Sequence, residues 1–126
     1  MTYPFEDPQL LASLHALDNS QLDQLDFGVI AFDNDIVVQR YNRYESRATG
    51  LSPERVIGYQ FFTEVAQCMN NFMVAQKFLD AREAARPLDE SMDFVLTWRM
   101  RPTPVKLRLL STPTIPLQYL ALQRAT

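Results

Sequence analysis

The first apolar positions along the chain are leucines. Leu10, Leu11, Leu14, Leu17, Leu22 and Leu25 follow the spacing of one helix face, broken at Asp18-Asn19-Ser20. This pattern predicts two short helices, the second capped by Asn19 or Ser20, laid as a cap over something larger. From Phe27 the period changes. Phe27-Gly28-Val29-Ile30-Ala31-Phe32 and Ile36-Val37-Val38-Gln39-Arg40-Tyr41 are β-rich runs around Asp33-Asn34-Asp35, which is turn chemistry and predicts a hairpin.

Short helical patterns follow. Asn42 to Thr49 is closed by Gly50, and Ser52-Pro53-Glu54-Arg55 sets a cap residue before a proline at the first helical position. Phe61 to Ala66 is a further short segment ending at Cys68. Residues 72–85 form the longest helix candidate, with Phe72, Ala75, Phe78, Leu79 and Arg82 on one face and Pro87 as terminator. Strands are expected at about 90–100, 104–111 and 117–123, with prolines marking the turns between them. Strands at both ends with helices grouped between them predict an antiparallel α+β domain with five strands. Residues 1–25 form the helical cap and residues 26–126 the domain it covers.

At 126 residues the chain suits one domain with a real core. A net charge of −3 argues against sequence-independent nucleic-acid binding and against a polybasic membrane anchor. The N-terminal segment has neither a basic region nor an apolar run, and no apolar stretch approaches the roughly 20 residues that span a bilayer. Cys68 is the sole cysteine, which excludes an internal disulfide and a Cys-rich zinc site. The expected location is the cytoplasm. One cysteine and one histidine, His15, in unrelated segments assemble no nucleophile–base–orienter set, so an enzyme is not expected. His15 reads as a surface or half-buried helix residue.

The stretch Tyr41-Asn42, Thr49-Gly50-Leu51-Ser52-Pro53-Glu54-Arg55-Val56-Ile57-Gly58 resembles the centre of a PAS domain. A narrower resemblance rests on Gln21-Leu22-Asp23, Phe27-Gly28, Tyr41-Asn42-x-x-Glu45, Phe61-Phe62-x-x-Val65-Ala66-x-Cys68 and Met100-x-Pro102-Thr103-x-Val105-Lys106. These residues resemble the photoactive yellow protein family. The resemblance implies a PAS fold: a five-stranded antiparallel sheet with short helices on one face. It also implies 4-hydroxycinnamic acid held as a thioester on Cys68, its phenolate bound by Tyr41 and a protonated Glu45, with Thr49 supporting Tyr41. The sequence departs from the family at Leu51, where an arginine commonly lids the pocket, and at Gln67, Phe94 and Leu120.

The residues themselves admit two readings. Tyr41 and Glu45, four apart, would share one face of a helical turn, and a phenol and a neutral carboxyl both donate hydrogen bonds to a buried phenolate. The plainer reading makes Tyr41 a strand end and Glu45 a solvated helix residue. Thr49 either bonds the Tyr41 hydroxyl or only precedes a helix-ending glycine. Cys68 by composition is a small buried apolar residue. Leu51, Phe61, Phe94, Trp98 and Met100 are candidate pocket-lining residues, for which a core role is the simpler assignment. Arg99 and Arg101, flanking Met100, are candidates for the positive charge that Leu51 lacks. The expected function is thus a blue-light photoreceptor signalling to a separate protein. The alternative is a PAS module without that chromophore, binding a partner, a second copy of itself or another small molecule.

Overall fold

The computed structural model describes residues 4–97 and 102–124. Trp98, Arg99, Met100 and Arg101 lie outside the described residues. In chain order the elements are α1 (Leu10–Ala16), α2 (Asn19–Leu22), β1 (Gly28–Phe32), β2 (Val38–Tyr41), α3 (Arg43–Thr49), α4 (Pro53–Val56), a π-helical turn (Phe61–Val65), a 3-10 turn (Gln67–Met69), α5 (Ala75–Glu83), β3 (Leu88–Leu96), β4 (Thr103–Ser111) and β5 (Gln118–Arg124). The strands form one antiparallel sheet in the order β2-β1-β5-β4-β3. The expected α+β architecture is present, with α1 and α2 ahead of the sheet and the other helices between β2 and β3.

Alternation along the three inner strands sorts their side chains between two cores. Ile30 and Phe32 of β1, Leu107 and Leu109 of β4, and Leu120 and Leu122 of β5 face the short helices, packing with Val56, Phe61, Phe62 and Phe78. Val29 and Ala31, Leu110, and Tyr119 and Ala121 face the other way, against Phe5, Leu10, Leu14, Leu17, Leu22 and Leu25 of the cap. These strands are therefore buried on both faces, which is why they read as nearly unbroken apolar runs.

Two arginines projecting toward the cap bond its backbone. Arg40 donates to the carbonyls of Leu14 and Leu17, to Asn19 Oδ1 and to the Tyr119 hydroxyl. Arg108 is held bidentately by Asp89 and donates to the carbonyls of Phe5 and Asp7. His15 is exposed in α1, with Nδ1 3.0 Å from the Tyr119 hydroxyl.

Several boundaries differ from the sequence expectation for local reasons. Asp18, not Asn19 or Ser20, caps α2, and Gln21 completes a capping box. Ser52 precedes Pro53 as expected but makes no side-chain cap bond. The second strand begins at Val38, because Asp33 Oδ1 accepts from the backbone N–H groups of Asp35 and Val37 and turns Ile36 to φ 63°. That left-handed backbone is strained for a β-branched residue and is compensated by burying the Ile36 side chain. The expected helix over 72–85 is confined to Ala75–Glu83. Asn71 Oδ1 accepts from Met73 and Val74 and holds the preceding chain in a turn, leaving Phe72 83% exposed. The buried stripe is Val74, Ala75, Phe78 and Ala81, with Leu79 and Arg82 outward. The third strand, expected over about 90–100, starts two residues earlier and is described over Leu88–Leu96; the last part of the expected span lies outside the described residues.

Candidate functional site

The site begins where β2 gives way to α3. Asn42 caps α3, its Oδ1 accepting from Glu45 N, and Gly50 at φ 79° ends the helix. One turn of helix thus separates Tyr41 from Glu45 and a second leads to Thr49. The Thr49 hydroxyl donates to the Glu45 carbonyl at 3.0 Å, so the Tyr41 phenol is the donor in its 2.6 Å bond to Thr49. On the far side, the π-helical turn seats Phe61, whose ring stacks on Phe32 at 5.6 Å. The chain then enters the 3-10 turn bearing Cys68.

These segments enclose a cavity of about 50 Å³, lined among others by Tyr41, Glu45, Thr49, Leu51, Phe61 and Cys68. Phe94 does not line it. That residue faces an open groove of about 1030 Å³ beside it, with Tyr44, Met73 and Val95. Trp98 and Met100 lie outside the described residues. Gln67 is exposed and donates to the Thr63 carbonyl at 2.8 Å.

The electrostatics of the cavity centre on a residue the sequence reading did not single out. Arg124, at the end of β5, donates from Nη1 to Glu45 Oε1 at 2.7 Å and from Nη2 to Glu45 Oε2 at 2.8 Å. Both Glu45 oxygens are thus taken up by one guanidinium, a bidentate pair. Its side chain is 4% exposed and that of Arg124 14%. Gly28 makes the packing possible: a Cβ there would lie 2.1 Å from Glu45 Oε1. Burial pulls the Arg124 guanidinium down, but the hydrogen bonds and charge of Glu45 outweigh this and leave it above its ordinary value. The signal for Arg124 was the parity of β5, which puts residue 124 on the face of Leu120 and Leu122. The expected strand stopped at 123.

Burial, and after it the negative charge of Glu45, push the Tyr41 phenol well above its ordinary value of 10.0; the Thr49 bond and the charge of Arg124 only partly oppose them. An unfolded tyrosine ionises near that value while the folded one keeps its proton. Above it the unfolded state therefore binds fewer protons, and stability falls as pH rises. Tyr119 is raised too, chiefly by burial, against the lowering effect of Arg40. Tyr41→Phe is expected to cost about 0.5–1.5 kcal/mol at neutral pH through the lost Thr49 bond. It should also flatten the decline of urea midpoint above about pH 10. Equal alkaline slopes in the two proteins would contradict this account of Tyr41.

Known proteins resemble the chain both in sequence and in fold. The photoactive yellow protein of Rhodothalassium salexigens is 32% identical over 93 residues, 74% of this chain and 74% of that protein. The chain belongs to the photoactive yellow protein family. A crystal structure of the photoactive yellow protein domain from the sensor histidine kinase Ppr of Rhodospirillum centenum aligns with TM-score 0.82 and 34% identity, covering 90% of this chain and 98% of that one. The PAS domain of an HTR-like protein from Haloarcula marismortui, 13% identical with TM-score 0.63 over 93% of this chain and 98% of that one, shows the fold alone. No protein-family model matches the sequence. Membership in the photoactive yellow protein family makes the chain a photoreceptor-type sensor domain of PAS fold. None of its described helices is long and apolar enough to cross a membrane.

Proposed function

We propose that this chain is a blue-light receptor that carries a 4-hydroxycinnamoyl group as a thioester on Cys68 and signals, in the cytoplasm, to a separate protein. The observation that carries this reading is the lining of one cavity by the sole thiol together with Tyr41, Glu45 and Thr49. The residues fit the group in kind. Ile30, Leu51, Phe61, Met69 and Leu96 give apolar walls for an aromatic ring, and Tyr41 and Glu45 give polar partners for a phenol.

When bound, the group supplies visible absorption and a double bond that isomerises. Attachment would begin with the Cys68 thiolate attacking the carbonyl carbon of an activated acyl donor. The thiol proton goes to solvent and the leaving group takes the electron pair of the broken acyl bond. Tyr41 and Glu45 orient the phenol, and Thr49 fixes the Tyr41 hydroxyl through its bond to the helix backbone. A cavity of about 50 Å³ has room for a few waters but not for an aromatic acyl group, so the walls must move outward. Leu51, Val65, Ala66 and Cys68 are half-buried, and theirs is the wall with least to lose.

The same small volume favours the second reading, a PAS module that works through a protein partner or a second copy without this chromophore. Incubation with an activated 4-hydroxycinnamoyl precursor separates the two. The light-receptor reading expects one mass increment per chain, a new absorption band, and the loss of both in Cys68→Ala. A folded protein that gains no mass, or an adduct that survives Cys68→Ala, would refute it.

A further inference from the structure

A second cleft lies where the C-terminal end of α5 meets the turns β1–β2 and β4–β5. Its volume is about 200 Å³, and it shares no lining residue with the cavity that Cys68 lines. Strand parity builds its floor. Ser111 follows Leu107 and Leu109 along β4, and Gln118 precedes Leu120 and Leu122 along β5, so both face the helices. Each is more than nine-tenths buried. Gln118 donates from Nε2 to the Asp33 carbonyl at 3.1 Å. Its Oε1 and the Ser111 hydroxyl have no hydrogen-bond partner among the described residues, yet neither atom is sealed from the surface. The floor therefore offers a hydroxyl and a carbonyl oxygen to whatever enters.

The rim is cationic. Arg82 donates from Nη1 to the Asn34 carbonyl, which holds its guanidinium toward the β1–β2 turn. Arg86 reaches the same cleft because the chain turns back at Ala85, where φ is 51°. The Ala85 N–H donates to the Arg82 carbonyl at 3.1 Å, and the Arg86 N–H to the Ala81 carbonyl at 3.0 Å. This is a Schellman turn with alanine at the left-handed position that glycine usually fills. Its bonds also occupy helix-end carbonyls that would otherwise turn negative charge on the cleft. Among the described residues neither arginine is in an ion pair and no lining residue is acidic, although the whole chain carries a net charge of −3.

We infer that this cleft binds the phosphate group of a small hydroxylated phosphate monoester. Arg82 and Arg86 supply two planar forks that match phosphate oxygens and balance a dianion. The Ser111 hydroxyl donates to a further oxygen. Gln118 Oε1 only accepts, so it selects a ligand that carries a hydroxyl beside its phosphate. The volume admits a phosphate and a few further heavy atoms but not a nucleoside. Bound there, the ligand ties α5 to both turns. None of this depends on the chromophore.

The test is a nitrogen–proton NMR titration of the full chain with glycerol 3-phosphate and, separately, with methyl phosphate. Both are run at neutral pH, with ionic strength held constant by potassium chloride. Each should give saturable shifts at the Arg82 and Arg86 Nε–H groups and at the Ser111 and Thr112 amides. Glycerol 3-phosphate should bind at least about threefold tighter, through its hydroxyls. Arg86→Gln should weaken both probes at least about tenfold, as expected for losing a hydrogen bond to a charged group. The Arg86 side chain makes no bond among the described residues, so this variant should fold as the intact chain does. Arg47→Gln removes an equal charge from the exposed side of α3 and should leave binding unchanged. Shifts that never saturate, or an equal loss in Arg47→Gln and Arg86→Gln, would show ionic screening only and overturn the site. Equal affinity for the two probes would overturn the assignment to a hydroxylated monoester.

Discussion

Asn42→Ala is expected to lower stability by about 3–5 kcal/mol, a large part of the 5–15 kcal/mol typical of a domain. Asn42 is buried, and its amide uses its full hydrogen-bonding capacity. Oδ1 accepts from Val29 N at 3.0 Å and Glu45 N at 3.2 Å, while Nδ2 donates to the carbonyls of Leu22 and Phe27, both at 3.0 Å. One side chain therefore joins the cap, the first strand and the helix that carries Glu45. Losing a helix cap alone costs typically ~1 kcal/mol. The larger loss comes from Val29 N and the two carbonyls, each of which forfeits a partner away from water at about 1–3 kcal/mol before relaxation.

Asn42→Asp separates the two contributions. Aspartate caps a helix as well as asparagine does, yet it cannot donate to Leu22 and Phe27 and would set a negative charge against their carbonyls. Urea denaturation should find Asn42→Asp about as unstable as Asn42→Ala at neutral pH. A near-native midpoint for the aspartate variant would mean that Asn42 is only a cap and does not tie the site to the N-terminal segment.

The sheet was legible because its rules are local. Alternation and β-rich composition located all five strands, and antiparallel pairing followed from the grouping of helices between them. The fourth and fifth strands were found to within a residue or so. What escaped depended on groups brought together from afar. Arg124 read as a residue just past a strand, since nothing near it in sequence shows that β5 runs beside β1 and meets Glu45 over Gly28. Arg40 and Arg108 gave no sign that they would reach cap carbonyls, because backbone acceptors leave no mark in a sequence. Helix α5 ended early for a different reason: Ala85 takes φ 51°, a left-handed position usually signalled by glycine. Of the residues proposed for the chromophore, the spacing Tyr41, Glu45, Thr49 became adjacency because α3 is a real helix with a capped start. The placement of Cys68 beside them rested on family resemblance and could not have come from local pattern.

Removing residues 1–25 should produce the other large effect, a domain that melts at least about 10 °C lower and self-associates. Truncating a single buried leucine costs about 2–5 kcal/mol, and this deletion takes away Leu10, Leu14, Leu17, Leu22, Leu25 and Phe5 together. It uncovers Val29, Ala31, Leu110, Tyr119 and Ala121, a continuous apolar face across three adjacent strands. Arg108 would lose its two carbonyl acceptors and Asn42 would lose Leu22 O, so part of the polar framework fails with the apolar one. A second copy of the sheet is the nearest apolar surface able to cover that face. Sedimentation should accordingly show a concentration-dependent dimer, and a peptide of residues 1–25 added in excess should return it toward the monomer. An Arg40→Met, Arg108→Met double variant keeps the apolar contacts while cutting the bonds to cap carbonyls, and should stay monomeric with an intermediate melting temperature. If the truncated domain instead melts with the full-length chain and stays monomeric at high concentration, the cap does not hold the sheet face.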